Sequence, residues 1–395
     1  MITVAIDARL RPGQVDGVAR FAKGLATTLS SVPSERLRIV WIVGSDASWL
    51  ECSVRAGDTV IVDPVLPVGS EDLWVRAGDD QTAKLALLRS LEHRSEDPRL
   101  PRSPVELAAF DVDVVHFLSQ DAFVTELPSI YHPHDLQHAE FPQFFDTATI
   151  GWRELAWRTY AGQAVVVCVA APHVRDAVAK HWPETTDAIR IVSLGPLALD
   201  DAVPSPSTVG QVPFSDLDLE VPFVLYPAGP WPHKNHVRLI EAFVHAAGPR
   251  GQARLLLTGF ELDPAGVVAA TIQLLGVDDV VCCLGRVTDA MLAWLYAEAV
   301  GVVLPSVYEA GSFPLVEAYR AGIRIAASDI PGHRAREYAV DAWFDPFDVE
   351  DMSAAITYIL DAPSTADTPQ EPKASGLPVN EEFIDLYEQV VGRRR

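Results

Sequence analysis

Cysteine and basic residues are scarce in this chain, and each shortage excludes something. Four cysteines in 395 residues, at positions 52, 168, 282 and 283, make neither a disulfide framework nor a zinc spacing. Cys168, Cys282 and Cys283 lie in apolar runs and are expected to be core thiols. Lys and Arg number 31 against 54 Asp and Glu, a formal net charge of -23. That balance argues against a nucleic-acid partner and against general adsorption to anionic membranes. The densest basic stretch, "LLRSLEHRSEDPRLPR" (87–102), is diluted by Glu92, Glu96 and Asp97. No apolar run reaches membrane-spanning length, so no integral membrane segment is expected. The opening "MITVAIDARLRPG" runs into a strand pattern rather than a signal peptide. A cytoplasmic, reduced protein is the expectation.

What is present is alternation. Short apolar runs predict strands at 2–6, 38–43, 59–63, 112–117, 128–132, 164–169 and 189–193. Helical patterns lie between them, as at 17–30, 151–162 and 172–182. A polar, proline-rich segment (199–222) reads as a linker. A second series follows, with strands at 223–228, 254–259, 280–285, 300–305 and 323–328. Its helices are placed at 236–247, 263–275, 288–298, 314–321 and 350–361. Two such series predict an α/β protein of two doubly wound parallel-sheet, Rossmann-like domains facing across a cleft, 1–205 and 206–378. After a Pro/Ser/Thr stretch (362–378), residues 379–395 are expected to form a helix docking back on the N-terminal domain.

One stretch poses a chemical question. In "PSVYEAGSFPLVEAYRAG" (305–322), Glu309 and Glu317 are separated by seven residues that include Gly311, Ser312 and Pro314. A single helix cannot carry both, because Gly311 and Pro314 break it. Proline is well placed to open a new helix, which leaves Glu309 in a loop and Glu317 in the first turn. The apolar run "AVGVVLP" (299–305) precedes them as a strand. Strand ends are where open α/β sheets bind ligands, and a helix N-terminus suits phosphate. Two carboxylates beside a phosphate site fit a ligand that also carries hydroxyls, such as a nucleotide sugar.

Three further segments carry weaker signals. In "LYPAGPWPHKNHVRLIEAF" (225–243), Lys234 stands at a helix entrance where it could meet a diphosphate, with Asn235 as N-cap. A solvated lysine before a capped helix is the bland alternative. In "IDARLRPGQVDGVARFAKGLATTL" (6–29), Gly13 and Gly17 permit close approach of backbone to phosphate, though glycines in such loops are common. In "SIYHPHDLQHAEFPQFF" (129–145), His132, His134, Asp135 and His138 follow a strand. That cluster could face a sugar, hold a divalent metal, or be only a hydrogen-bonded loop.

Taken together, the segments resemble glycosyltransferases of family 4, which have the GT-B fold. "YEAGSFPLVEA" matches the E-x7-E motif and "WPHKNHVRLIEAF" the K-N-x-x-R-L-I-E-A-F helix start. "PHDLQHAEFPQFF" matches the H-D-L-Q-H branch, and "IDARLRPGQVDGVARF" the N-terminal glycine loop. The resemblance implies an acceptor-binding N-terminal domain and a donor-binding C-terminal one. It implies that Glu309 binds hydroxyls of the donor sugar, Glu317 the donor ribose and Lys234 the leaving diphosphate. Backbone N–H groups at Gly311, Ser312 and Phe313 would hold the donor, Gly17 would let its loop close, and His134 would sit beside the reacting sugar. Leu284 to Val287 would line the base. The implied reaction is retaining transfer from a GDP- or UDP-linked sugar to a hydroxyl of a small-molecule or glycan acceptor. No metal and no cofactor take part.

The match has gaps. The segment Ala228–Gly229–Pro230–Trp231–Pro232 lacks the arginine that many members carry, so another basic residue would complete the phosphate clamp; Arg286, Arg20 and Arg238 are the candidates. Region 64–111 has no counterpart in the pattern. Other readings stay open: a GT-B enzyme of different chemistry (an inverting transferase or nucleotide-sugar hydrolase), a metal hydrolase built on His132 and His134, or a non-catalytic nucleotide-sugar-binding protein.

Overall fold

The computed structural model describes residues 1–10, 17–50, 52–63, 100–192, 221–247, 253–259, 261–335, 338–361 and 379–392. The chain forms two compact units, one of Met1–Leu199 with Ser375–Arg395 and one of Asp200–Ala374.

The first unit holds seven parallel strands: β1 (Ile2–Asp7), β2 (Leu37–Val43), β3 (Thr59–Val62), β4 (Val114–Phe117), β5 (Ser129–Tyr131), β6 (Val166–Val169) and β7 (Ile189–Ile191). Their order is β3-β2-β1-β4-β5-β6-β7. Val4, Ile6, Ile39, Trp41, Val114 and Ile130 are fully buried, as expected of parallel strands covered on both faces. The helix Val379–Gly392 packs on β1, β4 and the helix Gly17–Ser30 of this unit. Phe383, Ile384, Leu386, Tyr387 and Val390 enter the core from it.

The second unit is a six-stranded parallel sheet: β8 (Phe223–Pro227), β9 (Arg254–Thr258), β10 (Val281–Cys283), β11 (Gly301–Leu304), β12 (Arg324–Ser328) and β13 (Ala342–Phe344). The order is β10-β9-β8-β11-β12-β13. The register sets Gly301 opposite Val224 on one side and Arg324 on the other. Leu225, Leu255, Val303, Ala326, Phe243 and Ile356 fill its core.

Twelve of the thirteen strands among the described residues were expected from their apolar runs. β13, with three residues of "DAWF", is too short to show periodicity and is recognised only by its pairing with β12. Cys168 is buried as expected, but Cys282 and Cys283 are half-buried, because β10 is an edge strand with an open side. The basic stretch 87–99, Gly13, the linker 199–220 and the segment 362–378 lie outside the described residues.

Candidate active site

In each sheet the strand order reverses once, between β1 and β4 in the first unit and between β8 and β11 in the second. Loops leaving adjacent strands part company at such a point and leave a crevice at the carboxyl ends, where ligands bind. The loops after β8 and β11 are the ones that carry Lys234 and Glu309.

The second unit joins these loops tightly. Lys234 Nζ donates to Glu309 Oε1 at 2.6 Å, and Ser306 Oγ donates to the same oxygen at 2.7 Å. The Val307 N–H donates to the His233 carbonyl, and the Tyr226 hydroxyl donates to the Lys234 carbonyl. Asn235 adopts a left-handed backbone, φ 61°. Its Nδ2 donates to the Pro305 and Pro346 carbonyls, and its Oδ1 accepts from Arg238. Asn235 is therefore a cross-link between loops rather than the expected helix cap; caps use extended backbone and turn their oxygen to helix N–H groups.

The Lys234 and Glu309 side chains are only 17% and 11% exposed. Burial alone would raise the Glu309 carboxyl. The charges of Lys234 and His333, with hydrogen bonds from Lys234 and Ser306, outweigh it and hold the group at about 2. Glu309 is thus a carboxylate at any physiological pH, fit to accept hydrogen bonds and unfit to act as an acid. His333 lies behind this loop, with Nδ1 against the Ser328 carbonyl at 3.0 Å. Burial lowers its pKa against the pull of Glu309. Gly332 is required here, since a Cβ on it would stand 2.0 Å from the Glu309 carbonyl oxygen.

The helix Phe313–Ala321 follows at once and ends at Gly322 in left-handed conformation, φ 67°. Pro314 opens it, and Ser312 places no side-chain cap on it. Its first N–H groups, with those of Gly311, Ser312 and Phe313, stand at the positive end of the helix. Glu317, 9% exposed, accepts from the Tyr296 hydroxyl at 2.7 Å. The structure thus gathers Lys234, Glu309, Gly311, Ser312, Phe313 and Glu317 on two neighbouring loops and one helix start. Arg286 stands on the separate loop after β10, exposed, its backbone N–H on the Glu261 carboxylate. Arg238 is turned onto Asn235 and the Phe347 ring. Sequence reasoning missed Ser306, Tyr226, Tyr296 and His333. Ser306 and Tyr226 lay within reach, inside the quoted segments that hold Glu309 and Lys234; Tyr296 and His333 come from helices outside those segments.

His134 and Gly17 belong to the first unit. His134 follows β5 with φ 57°, a conformation rare outside glycine and costly to hold. Its Nε2 meets the Leu118 carbonyl at 2.8 Å, just after β4. Gly17 opens the helix whose Phe21 packs edge-on against His134, ring centroids 5.4 Å apart. The Asp135 carboxylate accepts the Gln137 N–H. His138 turns away onto Glu154 and Trp157. His132 Nε2 faces His116 Nε2 at 2.9 Å. Each histidine of the loop thus has a ring nitrogen engaged by protein. Among the described residues no group of three or more His, Cys, Asp or Glu is arranged to hold a metal ion.

Residues 213–374 match the family model of glycosyl transferases group 1. The matched segment contains Lys234, Arg286, Glu309, Gly311, Ser312, Phe313 and Glu317, but not His134 or Gly17. Over 106 residues the chain is 33% identical to an MMP alpha-(1->4)-mannosyltransferase of Mycolicibacterium hassiacum, which is 26% of each protein. The chain thus spans about a quarter of the length of that relative. Solved structures match over nearly the whole chain. A sucrose-phosphate synthase of Thermosynechococcus elongatus has a TM-score of 0.63 at 18% identity, covering 100% of this chain and 97% of that one. Alr3699/HepE of Anabaena, in complex with UDP and glucose, has 0.61 at 16% identity, covering 99% and 97%. These likenesses are of fold: two parallel-sheet α/β units, as in GT-B glycosyltransferases. No described helix is long and apolar enough to cross a membrane.

Proposed function

We propose that the chain is a retaining glycosyltransferase that works without a metal. It moves a sugar from a nucleoside-diphosphate donor to a hydroxyl of a small-molecule or glycan acceptor. The observation that carries this reading is the Lys234–Glu309 pair at the point where the second sheet reverses, beside an uncapped helix start. The pair offers a cation for the diphosphate and a carboxylate for sugar hydroxyls within one hydrogen bond of each other. Lys234 exchanges its carboxylate partner for the β-phosphate, and the helix N–H groups share that charge. Glu309, freed of Lys234, accepts hydroxyls of the donor sugar, while Glu317 accepts from the ribose. The bond from C1 to the phosphate oxygen breaks, the acceptor oxygen bonds C1 on the same face, and the acceptor's proton passes to the departing diphosphate. His134 stands beside the reacting sugar. Retention and the roles of His134 and Glu317 rest on the motif resemblance; the donor base is guanine or uracil on the same ground.

Thermal stabilisation by a panel of nucleotide sugars, with and without magnesium, tests this. A donor at about 100 times its dissociation constant stabilises by about 2.7 kcal/mol. A shift with one nucleotide family that is indifferent to magnesium is the expected result. No shift with any nucleotide, together with destabilisation by a chelator, would reject the reading.

A further inference from the structure

Behind His134 the first unit contains a buried chain of three polar side chains that the mechanism above does not use. Tyr387 reaches from the helix Val379–Gly392, His116 stands on β4, and His132 follows β5. The Tyr387 oxygen lies 2.8 Å from His116 Nδ1, and His116 Nε2 lies 2.9 Å from His132 Nε2. Tyr387 and His116 are completely buried, and His132 is 2% exposed. Phe383 and Phe21 close the chain in, with ring centroids 5.6 Å from His116 and 5.0 Å from His132. Burial pushes both imidazoles down, His116 to about 3, so each carries one ring proton at neutral pH.

The direction of the chain follows from counting protons. Tyr387 has a single hydrogen-bond partner among the described residues. Were its oxygen to accept there, its O–H would be buried without an acceptor, the more costly arrangement. The Tyr387 hydroxyl therefore donates to His116 Nδ1. His116, being neutral, then carries its proton on Nε2 and donates to His132 Nε2. His132, also neutral, must carry its proton on Nδ1. No described residue accepts that proton. The His132 and His134 rings are 5.8 Å apart.

We propose that His132 presents Nδ1–H as a fixed hydrogen-bond donor to the acceptor's oxygen beside His134, and that Tyr387 and His116 are the positioning residues that fix it. This rests on the glycosyltransferase reading for the identity of the oxygen, but not for the tautomer.

The full chain, labelled with nitrogen-15 histidine, gives long-range proton–nitrogen spectra that separate the two imidazole tautomers. His132 protonated on Nδ1 and His116 on Nε2 is the expected result, becoming a mixture in Tyr387→Phe. His132 protonated on Nε2 in the wild type overturns the proposal without need of any variant. The substrate role is read from hydrolysis of GDP-mannose and UDP-glucose, in which water takes the acceptor's place. His132→Asn keeps an N–H at the δ position and His132→Gln only at the ε position. At least tenfold faster hydrolysis by the Asn variant is expected, and equal rates overturn the role. A wild type that hydrolyses neither sugar, and is stabilised by neither, overturns the acceptor role together with the enzyme reading. The measured tautomers would then still stand by themselves.

Discussion

Removing the Glu309 carboxylate has two effects, because the group is both a proposed hydroxyl acceptor and the counter-ion of Lys234. A loop position alone would suggest that Glu309→Ala leaves the fold untouched. The mostly buried pair says otherwise: the variant strands Lys234 and should lose about 2–3 kcal/mol in urea unfolding. Glu309→Gln, which still accepts from Lys234, should lose less, while both drop sugar transfer by about a hundredfold or more. Lys234→Ala should weaken binding of nucleoside diphosphates; unchanged affinity by titration calorimetry would place the phosphate clamp elsewhere. The pH dependence has a definite sign. The Glu309 carboxyl lies below its unfolded value, so its contribution is complete above about pH 4.3 and fades as pH falls through about 2. The gap corresponds to about 3 kcal/mol at neutral pH. The stability difference between wild type and Glu309→Gln should therefore shrink on acidification across that window. A difference that stays constant down to pH 2 would mean the pair contributes nothing through ionisation.

At the scale of elements, the site is a meeting of strand ends. The loop after β12 backs the loop after β11, with Gly332 pressed on the Glu309 carbonyl. Gly332→Ala must push that loop aside. We expect a loss of about 2 kcal/mol or more and a fall in activity without any direct contact to substrate; a stable, fully active variant would show that the loop gives way freely. This arrangement also marks how far sequence reasoning reaches. Glu309, Glu317 and Lys234 were legible because loop-breaking residues and a proline at a helix start fix where each falls relative to a strand. Their mutual contact was not, because it depends on β8 and β11 being neighbours although some seventy residues apart, and no local pattern encodes which strands pair. The same holds for His116 and Tyr387, which read as one more apolar strand and one more amphipathic helix. The histidine loop was visible as a cluster, yet its chemistry was decided by partners from β4, from the helix Thr147–Gln163 and from the helix Val379–Gly392. Asn235 misled because the residue type suits a cap, whereas the turn before it imposes a left-handed backbone.

For the molecule as a whole, the decisive feature is that the first unit is built from two separated parts of the chain, with the second unit between them. A chain ending at residue 361 lacks Phe383, Ile384, Leu386, Tyr387 and Val390. At about 1.5–3 kcal/mol for each buried side chain, their loss is comparable to the entire stability of a domain. Such a chain should show one cooperative unfolding transition, that of the second unit, where the intact chain shows the first unit's as well. Two full transitions in the truncated chain would show that the helix is dispensable. The same discontinuity bears on synthesis. At roughly 5–20 residues per second, residues 379–392 leave the ribosome roughly ten to forty seconds after the rest of the first unit. During that interval β1 and β4 lack the helix that covers them, while the second unit already has every residue it needs. The order of birth along this chain is therefore not its order of completion: the half that is made first is finished last, and a chaperone that shields its open sheet has those seconds in which to act.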